Sequence, residues 1–191
     1  MIMAIIQARM GSSRLPGKVL LDLAGRPVLW HAVSRVRKAH LVDMVLVATT
    51  DQPTDEPIRR FCAEQAVPCF AGSEQDVLDR FVQAARFAGA TERDAIVRIT
   101  ADCPLVDPDV IDQVVAAYLK SGVDYASNIN PPTFPDGLDV EVFRFSALLM
   151  AWREAKLVSE REHVTPYLRN HPNKFSAHNV THDTDLSALR W

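Results

Sequence analysis

The chain reads as an α/β protein, three layers deep, with a mostly parallel central sheet and a small mixed extension in its second half. Three observations predict this. The strand candidates of the first half are apolar throughout rather than alternating, as in strands covered on both faces. Amphipathic helical stretches separate them in a strand–helix rhythm. Beyond residue 128 the rhythm gives way to a proline-rich loop and a strand of period two.

Ala4-Ile5-Ile6 opens as a buried strand and empties into the loop Gln7–Lys18. Val19-Leu20-Leu21 is a short apolar run, closed by Leu23-Ala24-Gly25-Arg26. Pro27 sits where a first helical turn tolerates it, and Val28, Leu29, Ala32, Val33 and Val36 recur at helical spacing, predicting a helix over 27–39. Met44–Ala48 is a second apolar strand, ending in Thr49-Thr50-Asp51. A polar helix over 54–66 and a short strand at Pro68-Cys69-Phe70 follow. Ser73-Glu74-Gln75-Asp76 resembles a capping box, opening a helix that presents Val77, Leu78, Phe81, Ala84, Ala85 and Ala88 on one face. Ala95–Thr100 is the fourth strand and runs into Ala101-Asp102-Cys103-Pro104-Leu105. Asp107-Pro108 then starts a helix striped by Val110, Ile111, Val114, Val115 and Tyr118.

The segment 128–137 is a loop too long for a tight turn. Leu138, Val140, Val142 and Phe143 against Asp139, Glu141 and Arg144 predict a half-exposed strand. Helices near 146–156 and 160–170 and a strand at 175–180 complete the chain. With 191 residues, no repeats and no linker, 1–191 reads as a single domain.

Composition narrows the function. Hydrophobic content of 48% and charged content of 24% are ordinary for a globular protein. A net charge of −3 argues against a nonspecific nucleic-acid binder, which makes any basic cluster a local device. Cys62, Cys69 and Cys103 form no C-x-x-C pair, as expected in a reducing compartment rather than a disulfide or zinc framework. Met1-Ile2-Met3 leads straight into the first strand without a charged leader, and no apolar run nears the roughly 20 residues of a membrane helix. A cytoplasmic protein with no membrane partner is expected.

The loop after the first strand carries two glycines, two serines, two arginines and a lysine. Glycine lets backbone approach a ligand, while hydroxyls, amides and cations suit phosphate oxygens. The ATP/GTP P-loop pattern fails, because five residues separate Gly11 from Gly17 and Val19 follows Lys18. The loop therefore reads as a polyphosphate cradle of another design, against the alternative of a basic surface turn. Ligands of parallel sheets bind beyond the strands' carboxyl ends, where the loop, Thr50, Asp51 and Asp102 converge. Asp102 suits Mg²⁺, which binds through one or two carboxylates plus substrate phosphates; it equally suits a cap on the segment that follows.

Ala4–Lys18 closely resembles the signature of the sugar cytidylyltransferases, the CMP-sialic acid and CMP-Kdo synthetases and above all their SpsF-like branch. Val47–Asp51, Arg98–Leu105, Asp136–Glu141 and Arg161–Tyr167 match in the family's order over essentially the whole chain. The resemblance implies a nucleotide-diphospho-sugar transferase fold. The activity it implies is CTP plus an acidic or modified sugar giving a CMP-sugar and pyrophosphate, with Mg²⁺, for surface polysaccharide or glycan synthesis. Arg9 and Lys18 would hold the triphosphate, and Asp102 the metal. Ala8, Gly11, Ser12, Ser13, Arg14, Thr50 and Asp51 would line the nucleotide. Arg80, with Asp76, would lie beside it, although helix-surface pairing explains those two as well. Asp136, Asp139, Glu141 and His163 would face the sugar. Asp139 and Glu141 equally suit a solvated strand face, and His163 a structural histidine. A homodimer joined through 128–170 is also implied.

One departure from the family pattern stands out. The acidic segment and helix expected after Leu189-Arg190-Trp191, which would supply a second metal carboxylate, do not occur. The alternative reading is therefore a weakly active or non-catalytic subunit that binds sugar nucleotides. A transferase that uses an already activated sugar is a third reading, which the basic loop suits less well.

Overall fold

The computed structural model describes residues 1–11 and 15–191; Ser12, Ser13 and Arg14 lie outside the described residues. The chain begins with β1 (Ile2–Gln7), followed by a 3-10 turn at Lys18–Leu20 where the apolar run after the loop lies. A small hairpin of β2 (Asp22–Leu23) and β3 (Arg26–Pro27) precedes α1 (Val28–Val36), β4 (Met44–Thr50), α2 (Glu56–Glu64) and β5 (Cys69–Gly72). Then come α3 (Val77–Phe87), β6 (Ala95–Thr100), α4 (Pro108–Ser121), β7 (Tyr125–Ser127) and β8 (Glu141–Arg144). The chain closes with α5 (Phe145–Glu154), α6 (Val158–His163), α7 (Pro166–Asn170) and β9 (Ala177–Asn179).

Among the described residues the main sheet has seven strands in the order β5-β4-β1-β6-β8-β7-β9. β5, β4, β1 and β6 are parallel, whereas β8 runs antiparallel to both β6 and β7. One face packs Ala4, Ile6, Val47, Val97 and Val142 under α1, α2 and α4. The other packs Met3, Ile5, Leu46, Ile96 and Phe143 under α3, α5 and α7. Helices on both faces explain why the parallel strands are largely apolar rather than alternating.

Four expectations need correction. The period-two strand is not half-exposed: Val140, Glu141, Val142 and Phe143 are all buried, because β8 lies inside the sheet with helices on either side. Its charge is admitted through an ion pair described below. The 160–170 helix is two helices, broken at Val164. The box at Ser73 is displaced. Asp76 is the cap and accepts from the Asp79 amide at 2.9 Å, while the Ser73 hydroxyl accepts from the Asp76 amide at 3.0 Å. The Leu189–Trp191 strand reduces to one bridge between Asp136 and Arg190. β7 and the β2–β3 hairpin carry no strong sequence signal and were not expected.

Candidate nucleotide site

Three elements bring the chemistry to one rim. β1, β4 and β6 all end there, and their last residues continue into Ala8-Arg9, Asp51 and Asp102. The loop is pinned at both ends. The Gly17 amide donates to the Met10 carbonyl at 2.9 Å. The Met10 amide donates to Asp55 Oδ1 at 2.8 Å, while Asp55 Oδ2 accepts from the Thr49 and Thr50 hydroxyls and the Thr50 amide. Asp55 is buried, so this one carboxylate welds the loop's first turn to the end of β4. The Thr50 carbonyl accepts from Arg59 at 2.8 Å. The polar atoms of Thr50 are thus engaged within the fold and support the rim from beneath. Asp51 is exposed at its edge, and Gly11 reaches toward Glu74, whose Oε1 would lie 3.6 Å from an added Cβ.

Lys18 Nζ meets Asp102 Oδ2 at 2.5 Å, both side chains remaining partly open. Burial pushes the Asp102 carboxyl upward, but the hydrogen bond and charge of Lys18 outweigh it and hold the group below its usual range. Asp102 is therefore an ionised, accessible carboxylate. Among the described residues no three His, Cys, Asp or Glu side chains gather as a metal cage. An Mg²⁺ ion held by one carboxylate with phosphates and water fits what is present; a cage made wholly of protein ligands does not.

Arg80 carries the strongest signature. Helix-surface pairing, the alternative to a place beside the nucleotide, does not describe it: it is 2% exposed, donates from Nη1 to the Ser73 carbonyl at 2.8 Å, and leaves Nε buried without a partner among the described residues. Burial and then the nearby Arg9 pull its pKa down to about 10. Arg9 is exposed and pairs with no carboxylate among the described residues. Arg9 and Arg80 line a cleft of about 120 Å³ with Gln7, Ala8, Val77, Glu162 and His163. Two guanidiniums that repel each other, one with a buried unused N–H, make a site for an oxyanion. Gly72 makes room for the Arg80 stem, whose Cγ would lie 3.3 Å from an added Cβ. A larger hollow of about 490 Å³ lies beside Met1, Ile2 and Ala95 at the amino ends of the strands, away from this chemistry.

The floor continues along the α3 face. Arg98 Nε donates to Gln7 Oε1 at 3.1 Å and Nη1 ion-pairs with Glu141, whose other oxygen accepts from the Tyr125 hydroxyl at 2.7 Å. Burial would raise the Glu141 carboxyl, but Arg98, Tyr125 and Thr165 bring it below its usual range. Glu141 thus lies 2% exposed within the sheet and apart from Asp139, which is exposed. Burial, then Asp136 and Glu141, raise the Asp139 carboxyl. Asp136 is exposed and pairs with Arg190 at 3.2 Å. Asp76 pairs not along its own helix but with Arg161 of α6, bringing α6 and His163 against α3.

Sequence reasoning passed over Asp55, Arg98, Gln7 and Tyr125. Asp55 hid at the start of a polar helix. Arg98 did carry a signal, as a lone arginine in an otherwise apolar buried strand, where a charge needs a partner.

Comparisons with known proteins bear on the family and the fold. A family model described as cytidylyltransferase matches residues 3–188. An uncharacterized protein of Methanocaldococcus jannaschii is 46% identical over 174 residues, spanning 91% of this chain and 69% of that protein. The spore coat polysaccharide biosynthesis protein SpsF of Bacillus subtilis is 40% identical over 176 residues, spanning 90% and 71%. A solved cytidylyltransferase of Leptospira borgpetersenii superposes with a TM-score of 0.92 at 32% identity, covering 99% of this chain and 79% of that one.

Proposed function

The chain belongs to the cytidylyltransferase family, and from that premise we propose that it transfers the cytidylyl group of CTP to an acidic or otherwise modified sugar. The products are a CMP-sugar and pyrophosphate, destined for a surface polysaccharide or glycan. The observation that carries this reading is the pair Arg9 and Arg80 lining one cleft, on a rim that also carries the Lys18–Asp102 bridge. A triphosphate offers oxyanions that two neighbouring guanidiniums can bind.

In the transfer, a sugar hydroxyl oxygen bonds to the α-phosphorus as the bond to the α–β bridging oxygen breaks. The hydroxyl gives up its proton, and pyrophosphate leaves with the electron pair. Arg9 and Arg80 bind and orient phosphate oxygens. Lys18 offsets the charge that builds on the departing pyrophosphate, a contribution that grows as the bond breaks and therefore accelerates the step. Asp102 would hold Mg²⁺, which supplies charge neutralisation across the phosphates when bound. Ala8, Gly11, Ser12, Ser13, Arg14 and Asp51 serve the nucleotide in this reading, and Asp136, Asp139 and His163 the sugar side. A cytoplasmic homodimer joined through 128–170 belongs to the same proposal.

The test is a thermal-shift panel of CTP, UTP, ATP and GTP with Mg²⁺, followed by pyrophosphate release with a panel of sugars. CTP is expected to stabilise the protein most and one sugar class to release pyrophosphate. No stabilisation by CTP overturns the proposal; CTP binding without release from any sugar points instead to a binding subunit.

A further inference from the structure

α6 and α7 are joined by a γ-turn. The Thr165 amide donates to the His163 carbonyl at 2.9 Å, and Val164 between them takes φ 72° and ψ −56°. This is the uncommon, strained form of the turn, and a β-branched residue avoids that region most of all. Such strain persists only where the surroundings enforce it, and it gathers at functional sites. Here two ties enforce it. Val164 is fully buried in the layer shared with α3 and α5. Arg161 binds Asp76 at the cap of α3 and donates to the Trp152 carbonyl of α5 at 2.6 Å.

The consequence is the placement of His163. Its side chain lines the cleft with Arg9, Arg80 and Gln7, and no described residue hydrogen-bonds its ring. Glu141 reaches the same cleft from beneath, because Arg98 links it to Gln7.

We propose that Val164 is a positioning residue, which aims His163 as a third hydrogen-bonding group, after Arg9 and Arg80, at an oxyanion in the cleft. The identity of the anion rests on the cytidylyltransferase reading: a phosphate of CTP or the carboxylate of a sugar acid. The strain and its purpose rest on the turn itself.

The full chain is compared with Val164→Gly, Val164→Ala and His163→Ala, using CTP with Mg²⁺, inorganic pyrophosphate and N-acetylneuraminate as probes. Val164→Gly is expected to melt above Val164→Ala, reversing the usual advantage of alanine, since only glycine takes this φ without strain. His163→Ala is expected to lose about tenfold in affinity for the anion, the loss of one hydrogen bond to a charged group, with Val164→Ala moving the same way. A loss for CTP and pyrophosphate identifies a phosphate; a loss for N-acetylneuraminate alone identifies a sugar carboxylate. Val164→Ala melting at or above Val164→Gly overturns the proposal, as does wild-type affinity of His163→Ala for all three probes. A wild-type chain that binds none of them overturns the nucleotide reading and this role for His163 together, and the melting order still reports on the strain without any ligand.

Discussion

Lys18 Nζ and Asp102 Oδ2, 84 residues apart in sequence, meet at 2.5 Å across the mouth of the site. Both side chains are more than a third exposed, so the pair adds little to stability and its value is positional. It fixes the loop's lysine against the carboxylate beyond β6, where a triphosphate and its counter-ion would meet. Lys18→Ala is expected to lower CTP turnover by about 10²–10³, the cost of one preorganised donor to developing charge. It should also raise the Asp102 pKa, because the burial that pushes it upward remains while the opposing cation is gone. The sign for stability follows. With the folded pKa depressed, the pair's small contribution is present above the usual aspartate range and disappears as pH falls through the depressed value. Carboxyl NMR titration of wild type and Lys18→Ala checks this, and an unmoved Asp102 would show that the bridge does not form in solution.

Arg80 should display a conflict between stability and binding. Its guanidinium is buried, Nε has no partner among the described residues, and burial pulls its pKa down to about 10. Arg80→Met keeps the stem's volume and removes the desolvated charge, so the melting temperature is expected to rise, by about 1 kcal/mol or more of stability. Affinity for pyrophosphate should fall at least tenfold, since a charge-assisted bond is lost. A variant that is less stable and binds normally would mean that Arg80 is a structural residue.

At Asp55 stability and binding should fall together. Replacing it by alanine leaves the amides of Met10 and Thr50 and two threonine hydroxyls without their acceptor, in a place nearly closed to water. A loss of about 3 kcal/mol is expected, that of a broken buried network rather than of one bond. Denaturant unfolding measures it. Since Met10 leads into the loop, pyrophosphate binding should weaken as well, although Asp55 lies beneath the rim.

The first half of the fold was legible because its strands are unbroken apolar runs and its helices have clear stripes, and the loop was legible because its chemistry is contiguous. β8 was not. Alternation treats every charged residue as facing solvent, and no local rule reveals that Glu141 finds Arg98 43 residues away. The same blindness made Arg80 look like a partner of its helix neighbours, when its surroundings come from β1, the 72–74 segment and Arg9. Asp55 and the γ-turn at Val164 are tertiary facts altogether: one is a hub for donors from two strand ends, the other a backbone angle that valine would not choose alone. Lys18 was named for the triphosphate and Asp102 for the metal, but the two were not named as partners of each other.

Gly137 offers a test of how the Asp136–Asp139 segment is held. It takes φ 106°, and a Cβ there would run into the Trp191 carbonyl oxygen. The segment before it is tied to the same stretch of chain: the Asp136 amide donates to the Leu189 carbonyl at 2.9 Å and the Trp191 amide to the Asp136 carbonyl at 2.8 Å. Gly122 makes the control, because its φ of 67° is also left-handed but an added Cβ would meet nothing within 4 Å. Gly122→Ala should therefore show backbone strain alone, of order 1 kcal/mol. Gly137→Ala adds a collision with backbone, which cannot rotate aside as a side chain can, so its loss should be larger by about 1–3 kcal/mol. Amide exchange should then quicken at Asp136 and Trp191 while β6 stays protected. Equal losses for the two variants, or unchanged exchange at Trp191, would show that the 186–191 stretch is not packed on the loop and has no part in shaping the acidic side of the site.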